Sequence, residues 1–242
     1  MPEFHVFRDT AEVSEAAAAL FTDLAHRALS ERGRFTVALP GGTTPVPLFQ
    51  RLTFSPWREA IPWDRIVFFW GDDRAVGPDR EQSNYRMARV TMLDHVPVKE
   101  ENVLRIRGEL GAENAAEALR ADLAGAFGHG GIPRFDLIIL SMGLAGDTAS
   151  LYPNHPALKA TDWAVPVPAR EGSHDSDRVT MTLPVLNAAR TVLFMATGPA
   201  KAKIIADLAA DPASDRYPAG RVEAENTLWY VDEAAFGQVK RS

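Results

Sequence analysis

Short apolar runs alternate with longer amphipathic stretches along the whole chain, and this alternation restricts the folds open to it. Residues 4–7 read as a short strand. Residues 11–29 are alanine-rich, with apolar spacing near the helical period. Residues 35–39 form a strand closed by Pro40-Gly41-Gly42, after which Thr44 looks like an N-cap with Pro45 at the first helical position. Residues 65–70 and 135–140 are continuous apolar runs, as in strands buried on both faces of a parallel sheet. Ser83 is expected to cap a helix reaching residue 93. A short strand is expected at 103–106 and a helix at 112–127, ended by Gly128 and the Gly130-Gly131 pair. Strands at 179–182, 191–196 and 227–231 follow, separated by helices that start near Pro184 and Pro199. The pattern predicts an α/β fold: an open, mostly parallel, doubly wound sheet with helices on both faces. No repeat or composition shift divides the chain, so residues 1–242 are read as a single domain. The polar stretch 169–177 is expected to be a mobile loop.

Composition excludes several functions. The chain has 242 residues, 46% of them hydrophobic, enough to bury a sizeable core. Its formal net charge of -6 disfavours nucleic acid as a partner, which would need a basic face. An anionic small molecule stays open, because a few local arginines outweigh a weak global field. With no cysteine, disulfides, thiolate metal sites and cysteine nucleophiles are out. The first twenty residues lack the basic head of a signal peptide, and no apolar run approaches the roughly 18 residues of a membrane span. No membrane partner and a cytoplasmic location are therefore expected. Nothing in the sequence sets the oligomeric state, so a monomer or a small homo-oligomer is expected.

In open α/β sheets ligands bind beyond the carboxyl ends of the strands. Three strands here run into conspicuous loops. The first, Pro40-Gly41-Gly42-Thr43-Thr44-Pro45, combines close backbone approach, hydroxyls and free N–H groups, which suits phosphate. The alternative is a tight turn with a capping threonine. No Gly-Lys-Ser/Thr follows and no strand is followed by G-x-G-x-x-G, so neither a nucleoside triphosphate nor a dinucleotide cofactor is indicated. The second loop opens with Gly71-Asp72-Asp73-Arg74 and continues to Ser83-Asn84. Two carboxylates and an arginine at the end of a buried strand imply a paired network or a site. A magnesium site or a solvated charged turn are the alternatives. The third, residues 141–153, carries Gly143, Gly146 and Asp147. It reads as an oxyanion- or phosphate-binding loop, or as a helix N-cap by Asp147.

Weaker candidates stand outside these loops. Arg178 begins a strand. Lys201 lies in the first turn of a helix, where a lysine gains nothing from the helix dipole and is easier to explain if it faces an anion. The six histidines show no metal-ligand spacing.

Taken in this order, the loops resemble the 6-phosphogluconolactonase family, which shares a fold with glucosamine-6-phosphate deaminases and ribose-5-phosphate isomerases. Gly41 to Pro45 fit the family's G-G-S/T-T-P. Asp72, Arg74, Val76, Ser83 and Asn84 match its D-E-R-x-V-P followed by S-N. Gly143, Gly146, Thr148 to Leu151 and Pro153 match its G-x-D-G-H-T-A-S-L-F-P. The segment from Arg178 to Ala189 and Lys201 also fit. The resemblance implies metal-independent hydrolysis of 6-phosphogluconolactone to 6-phosphogluconate in the pentose phosphate pathway, with no cofactor. The implied partner is a phosphorylated sugar lactone. It also implies Gly41, Gly42, Thr43, Thr44, Arg74, Asn84, Gly143, Arg178 and Lys201 as substrate contacts, and Asp147, Arg74 and Asp72 as the catalytic set.

The chain departs from the family where chemistry is expected. D-G-H reads Ala145-Gly146-Asp147: an aspartate replaces the histidine credited as general base, and an alanine replaces its carboxylate partner. The motif's glutamate is Asp73 and its proline is Gly77. The paired loss is coherent, because a carboxylate beside histidine serves to orient the imidazole. A carboxylate is an intrinsically weaker base than imidazole. Three expectations follow. Asp147 is the working base, or His155 or His174 replaces it, or the protein binds sugar phosphates with little turnover. An amino-sugar-phosphate deaminase or isomerase is the remaining alternative.

Overall fold

The computed structural model describes residues 3–169, 175–211 and 215–239. Nine strands are present among them: β1 (Glu3–Phe7), β2 (Phe35–Leu39), β3 (Ile66–Trp70), β4 (Asp72–Arg74), β5 (Leu137–Ser141), β6 (Ala164–Val167), β7 (Arg178–Met181), β8 (Thr191–Ala196) and β9 (Asn226–Asp232). The α-helices are α1 (Thr10–Arg32), α2 (Val46–Leu52), α3 (Trp57–Ala60), α4 (Asn84–Thr91), α5 (Ala112–Phe127), α6 (Leu183–Ala188), α7 (Ala202–Ala210) and α8 (Glu233–Phe236).

Six strands pair in parallel in the order β1-β9-β8-β5-β2-β3. Successive side chains of a strand point to opposite faces, and every residue of β2 and β8 is buried, so the sheet is covered on both sides. The core is one continuous cluster in which Phe194 of β8 stacks on Trp229 of β9 with ring centroids 4.0 Å apart. Burying such an aromatic side chain contributes about 1.5–3 kcal/mol. The sequence sets the long helix α1 locally. Asp9 caps it by accepting from the Glu12 N–H at 3.0 Å, and Gly33, at φ 73°, ends it. Val13, Ala17, Phe21, Ala25 and Ala28 form its buried stripe.

The connections decide where a ligand can sit. From β2 the chain moves outward to β3 at one edge. From β5, the neighbour of β2, it moves the opposite way through β8 to β9. The crevice between the carboxyl ends of β2 and β5 is thus the topological switch point.

A second, three-stranded antiparallel sheet, β4-β7-β6, hangs from that end. Gly71 joins the two sheets: its N–H donates to the Leu39 carbonyl at 3.0 Å and its carbonyl accepts from Met181 N at 2.8 Å. Neither β4 nor β6 was expected. Asp72–Arg74 carries no apolar pattern and is a strand because β7 offers it backbone partners. Three other local expectations fail. Residues 103–106 form no strand, only a one-residue parallel bridge from Val103 to Phe68 directly after a 3₁₀ turn at Glu100–Asn102. Thr44 does not cap α2; Pro45 takes the N-cap position with no side-chain hydrogen bond. The helix begun at Ser83 stops at Thr91, before a separate 3₁₀ turn at Leu93–His95. Ser83 does cap it, accepting from Arg86 N at 3.1 Å. Residues 170–174 of the polar loop, with His174, lie outside the described residues.

Candidate active site

A cavity of about 270 Å³ opens at the switch point. Gly41, Gly42, Thr43, Thr44, Asp72, Arg74, Asn84, Gly143, Asp147, Arg178 and Lys201 all line it, so the substrate contacts and the catalytic set implied by the resemblance meet in one place.

Strand alternation sorts the acidic loop. Asp72 and Arg74 share one face of β4, and Asp73 points to the other. Asp73 is buried away from the cavity and accepts from Asn84 N at 2.7 Å, Tyr85 N at 3.0 Å and the Ser83 hydroxyl at 3.2 Å. It therefore ties down the start of α4. Burial outweighs these bonds and pushes its pKa up to about 6. Asp72 is buried under the cavity floor, accepts from the Ser150 hydroxyl at 2.6 Å and faces Arg178 at 3.4 Å. Burial raises its pKa, with Arg178 and Ser150 opposing the shift. The two neighbouring carboxylates thus face different surroundings. Among the described residues, no group of three or more His, Asp or Glu side chains is placed to hold a metal ion.

Two arginines furnish positive charge. Arg74 of β4 donates to the Gln82 carbonyl at 2.7 Å and approaches Asn84 Oδ1 at 3.4 Å. Arg178 of β7 stands opposite it in the antiparallel ladder. Asn84, the first residue of α4, donates to the Asp72 carbonyl at 2.9 Å. Its amide fills the space a Cβ on Gly41 would need, 2.2 Å from Asn84 Oδ1. That contact explains the glycine. Ser141 then links the strand β5 to the same loop, donating to the Gly41 carbonyl at 3.2 Å.

Asp147 does not cap a helix, since none follows it. Instead its carboxylate lies across Gly143, where an added Cβ would come within 2.2 Å of both carboxylate oxygens. It accepts weakly from Ala145 N at 3.3 Å, and among the described residues no arginine, lysine or histidine is within ion-pair distance. Lys201, at the N-cap of α7, donates to the Met142 carbonyl. Burial lowers its pKa while nearby Asp147 opposes the shift. Ala149, also on the cavity wall, has φ 47°, a left-handed conformation costing roughly 1–2 kcal/mol for a non-glycine residue.

His155 is elsewhere. It caps the 3₁₀ turn Pro156–Lys159, with Nδ1 accepting from Ala157 N at 3.2 Å, and it lines an adjoining cavity rather than this one. The expectation that it replaces the missing histidine is corrected on that geometry. Sequence reasoning missed Ser150 and Thr180 as supports. Ser150 orients Asp72, and its N–H donates to the Thr180 hydroxyl at 3.2 Å. Only the pairing of two distant loops reveals them.

Three cations, a glycine-threonine loop and a carboxylate at the switch point of an open parallel sheet define an α/β protein whose site suits a small anionic ligand. The family model for glucosamine-6-phosphate isomerases/6-phosphogluconolactonase matches residues 8–229. The chain belongs to that family. It is 36% identical over 241 residues to a 6-phosphogluconolactonase of Synechocystis, covering 97% of each chain. A Haemophilus influenzae 6-phosphogluconolactonase is 36% identical over 82% of this chain and 85% of its own length. Among solved structures, the 6-phosphogluconolactonase of Trypanosoma brucei superposes with a TM-score of 0.84 at 26% identity, covering 99% of both chains. A monomeric glucosamine-6-phosphate deaminase superposes with a TM-score of 0.83 at 17% identity, a likeness of fold alone.

Proposed function

We propose that this chain hydrolyses 6-phosphogluconolactone to 6-phosphogluconate, the lactone-opening step of the pentose phosphate pathway. One observation carries the reading: Asp147 shares a single cavity with Arg74, Arg178 and Lys201, in a chain 36% identical to a curated lactonase. The deaminase and non-catalytic alternatives gain nothing from relatives at this identity.

Asp147 is the general base. It takes a proton from water as the water oxygen bonds to the lactone carbonyl carbon, and the carbonyl π electrons move onto oxygen. Lys201 stabilises that oxyanion; its ammonium has three N–H groups, and Met142 occupies one. Collapse breaks the bond from the carbonyl carbon to the ring oxygen. The ring oxygen receives the proton from Asp147 and becomes a hydroxyl, and the new acid ionises to release one proton. Arg74 and Arg178 hold the substrate phosphate, with Asp72 orienting Arg178. Gly41, Gly42, Thr43, Thr44, Asn84 and Gly143 contact the sugar. The binding energy of the phosphate positions the reacting carbonyl.

The same reading makes the protein a cytoplasmic enzyme of one domain, a monomer or small homo-oligomer, with a small-molecule partner and no nucleic acid. The test is turnover of freshly generated 6-phosphogluconolactone above its spontaneous hydrolysis, with and without chelator. Chelator-insensitive turnover is expected. A background rate with 6-phosphogluconate still bound would replace the lactonase reading with that of a sugar-phosphate binder.

A further inference from the structure

The loop that carries Asp147 is closed at its base and bare at its tip. A bridge between Met142 and Thr148 closes the base, and Gly143 N donates to the Asp147 carbonyl at 2.8 Å. At the tip, Leu144 is 71% exposed and Ala145 is exposed too. The tip therefore has little packing of its own to hold a conformation.

Gly146 is the exception. It is buried, at φ 74°, and its open face is filled by the ring of Tyr217: an added Cβ would lie 2.3 Å from Tyr217 Cδ1. The Gly146 carbonyl also accepts from Ala219 N at 2.9 Å. The ring is fixed in turn. The Tyr217 hydroxyl donates to Asp207 Oδ2 at 2.6 Å, and the Arg216 guanidinium lies 5.1 Å from the ring centroid. Burial and the Asp207 carboxylate both raise the Tyr217 pKa, as expected of a hydroxyl that stays a donor. Asp207 belongs to α7, the helix whose N-cap is Lys201. One helix thus reaches the loop twice, through Lys201 to Met142 and through Tyr217 to Gly146.

We infer that Tyr217 is a positioning residue for Asp147: its ring, packed over Gly146, clamps that residue and so sets the carboxylate one residue on. The inference rests on the reading of Asp147 as base. Misplacing a catalytic group by an ångström costs up to about 100-fold in rate while leaving remote binding contacts intact.

The experiment compares Y217A, Y217F and D147N in the full chain. It measures kcat, KM, the Kd for 6-phosphogluconate and thermal melting. Y217A is expected to lose about 30-fold in kcat, with KM and Kd within about 3-fold of the parent. Y217F, which keeps the ring, is expected to recover kcat to within about 3-fold. A Y217A kcat within about 3-fold of the parent, or equal losses in kcat and Kd, would overturn the clamp. If Y217A does not fold, Y217F below one-tenth of the parent kcat, about 10-fold down, would do the same. Parental turnover in D147N would remove the reading beneath it; inactive D147N beside fully active Y217A would remove the clamp alone.

Discussion

Arg74 on β4 and Arg178 on β7 lie directly opposite each other in an antiparallel ladder, and both reach the same cavity. Like charges in that position repel, unless an anion comes between them. Arg178 has Asp72 at 3.4 Å, whereas Arg74, among the described residues, donates to the Gln82 carbonyl and approaches Asn84 without a carboxylate at ion-pair distance. R74Q should therefore raise KM by about 10-fold or more while changing stability by less than about 1 kcal/mol. R178M should weaken binding and also cost about 3 kcal/mol, because it strands a buried carboxylate. Steady-state kinetics and urea denaturation of both variants check this. Equal stability losses would contradict the asymmetry.

Asp72 also lines the cavity, but its carboxylate is engaged by the Ser150 hydroxyl and Arg178, which leaves Asp147 as the carboxylate available to water. D147N is expected to lower kcat by about 10²–10⁴-fold with little change in KM. Restoring the family's pair with A145D/D147H should raise kcat and move the pH–rate profile towards the imidazole range. Both come from initial rates across pH. Parental kcat in D147N would assign the base elsewhere.

Gly143 matters for space rather than for backbone freedom. A methyl group there would sit 2.2 Å from the Asp147 carboxylate oxygens, and the carboxylate would have to move. G143A should cost about 100-fold in kcat, with phosphate binding largely kept. The measurement is kcat against the Kd for 6-phosphogluconate. An unaffected kcat would show that the carboxylate works from another position.

Asp73 makes stability depend on pH. Burial lifts its pKa from 3.8 to about 6, so the folded protein holds this proton more tightly than the unfolded chain. The resulting stabilisation is fully present below about pH 4 and is lost as pH rises through about 6, a change of about 3 kcal/mol. The stability difference between the parent and D73N should shrink by that order across the window. Urea denaturation at several pH values, with a carboxyl NMR titration of Asp73, measures it. A pH-independent difference would refute the shift.

The sequence by itself determined the α/β class, because continuous apolar runs and helical periodicity are local signals that each segment carries alone. It also determined the cap at Ser83 and the three loops. Their glycines, hydroxyls and charges follow strand ends, and strand ends in a parallel sheet share one edge. Tertiary structure decided the rest. Asp72–Arg74 has no strand pattern and pairs only because β7 lies beside it. That pairing turns Asp72 and Arg74 into the cavity and Asp73 away from it. His155 looked available from its place in the chain, yet it caps a turn outside the cavity. Tyr217 follows Asp147 by seventy positions in the numbering and meets its loop only through Gly146. Periodicity reports which face of a segment is buried. Which distant side chain fills the space above a glycine depends on how the elements pack, and no local pattern encodes that.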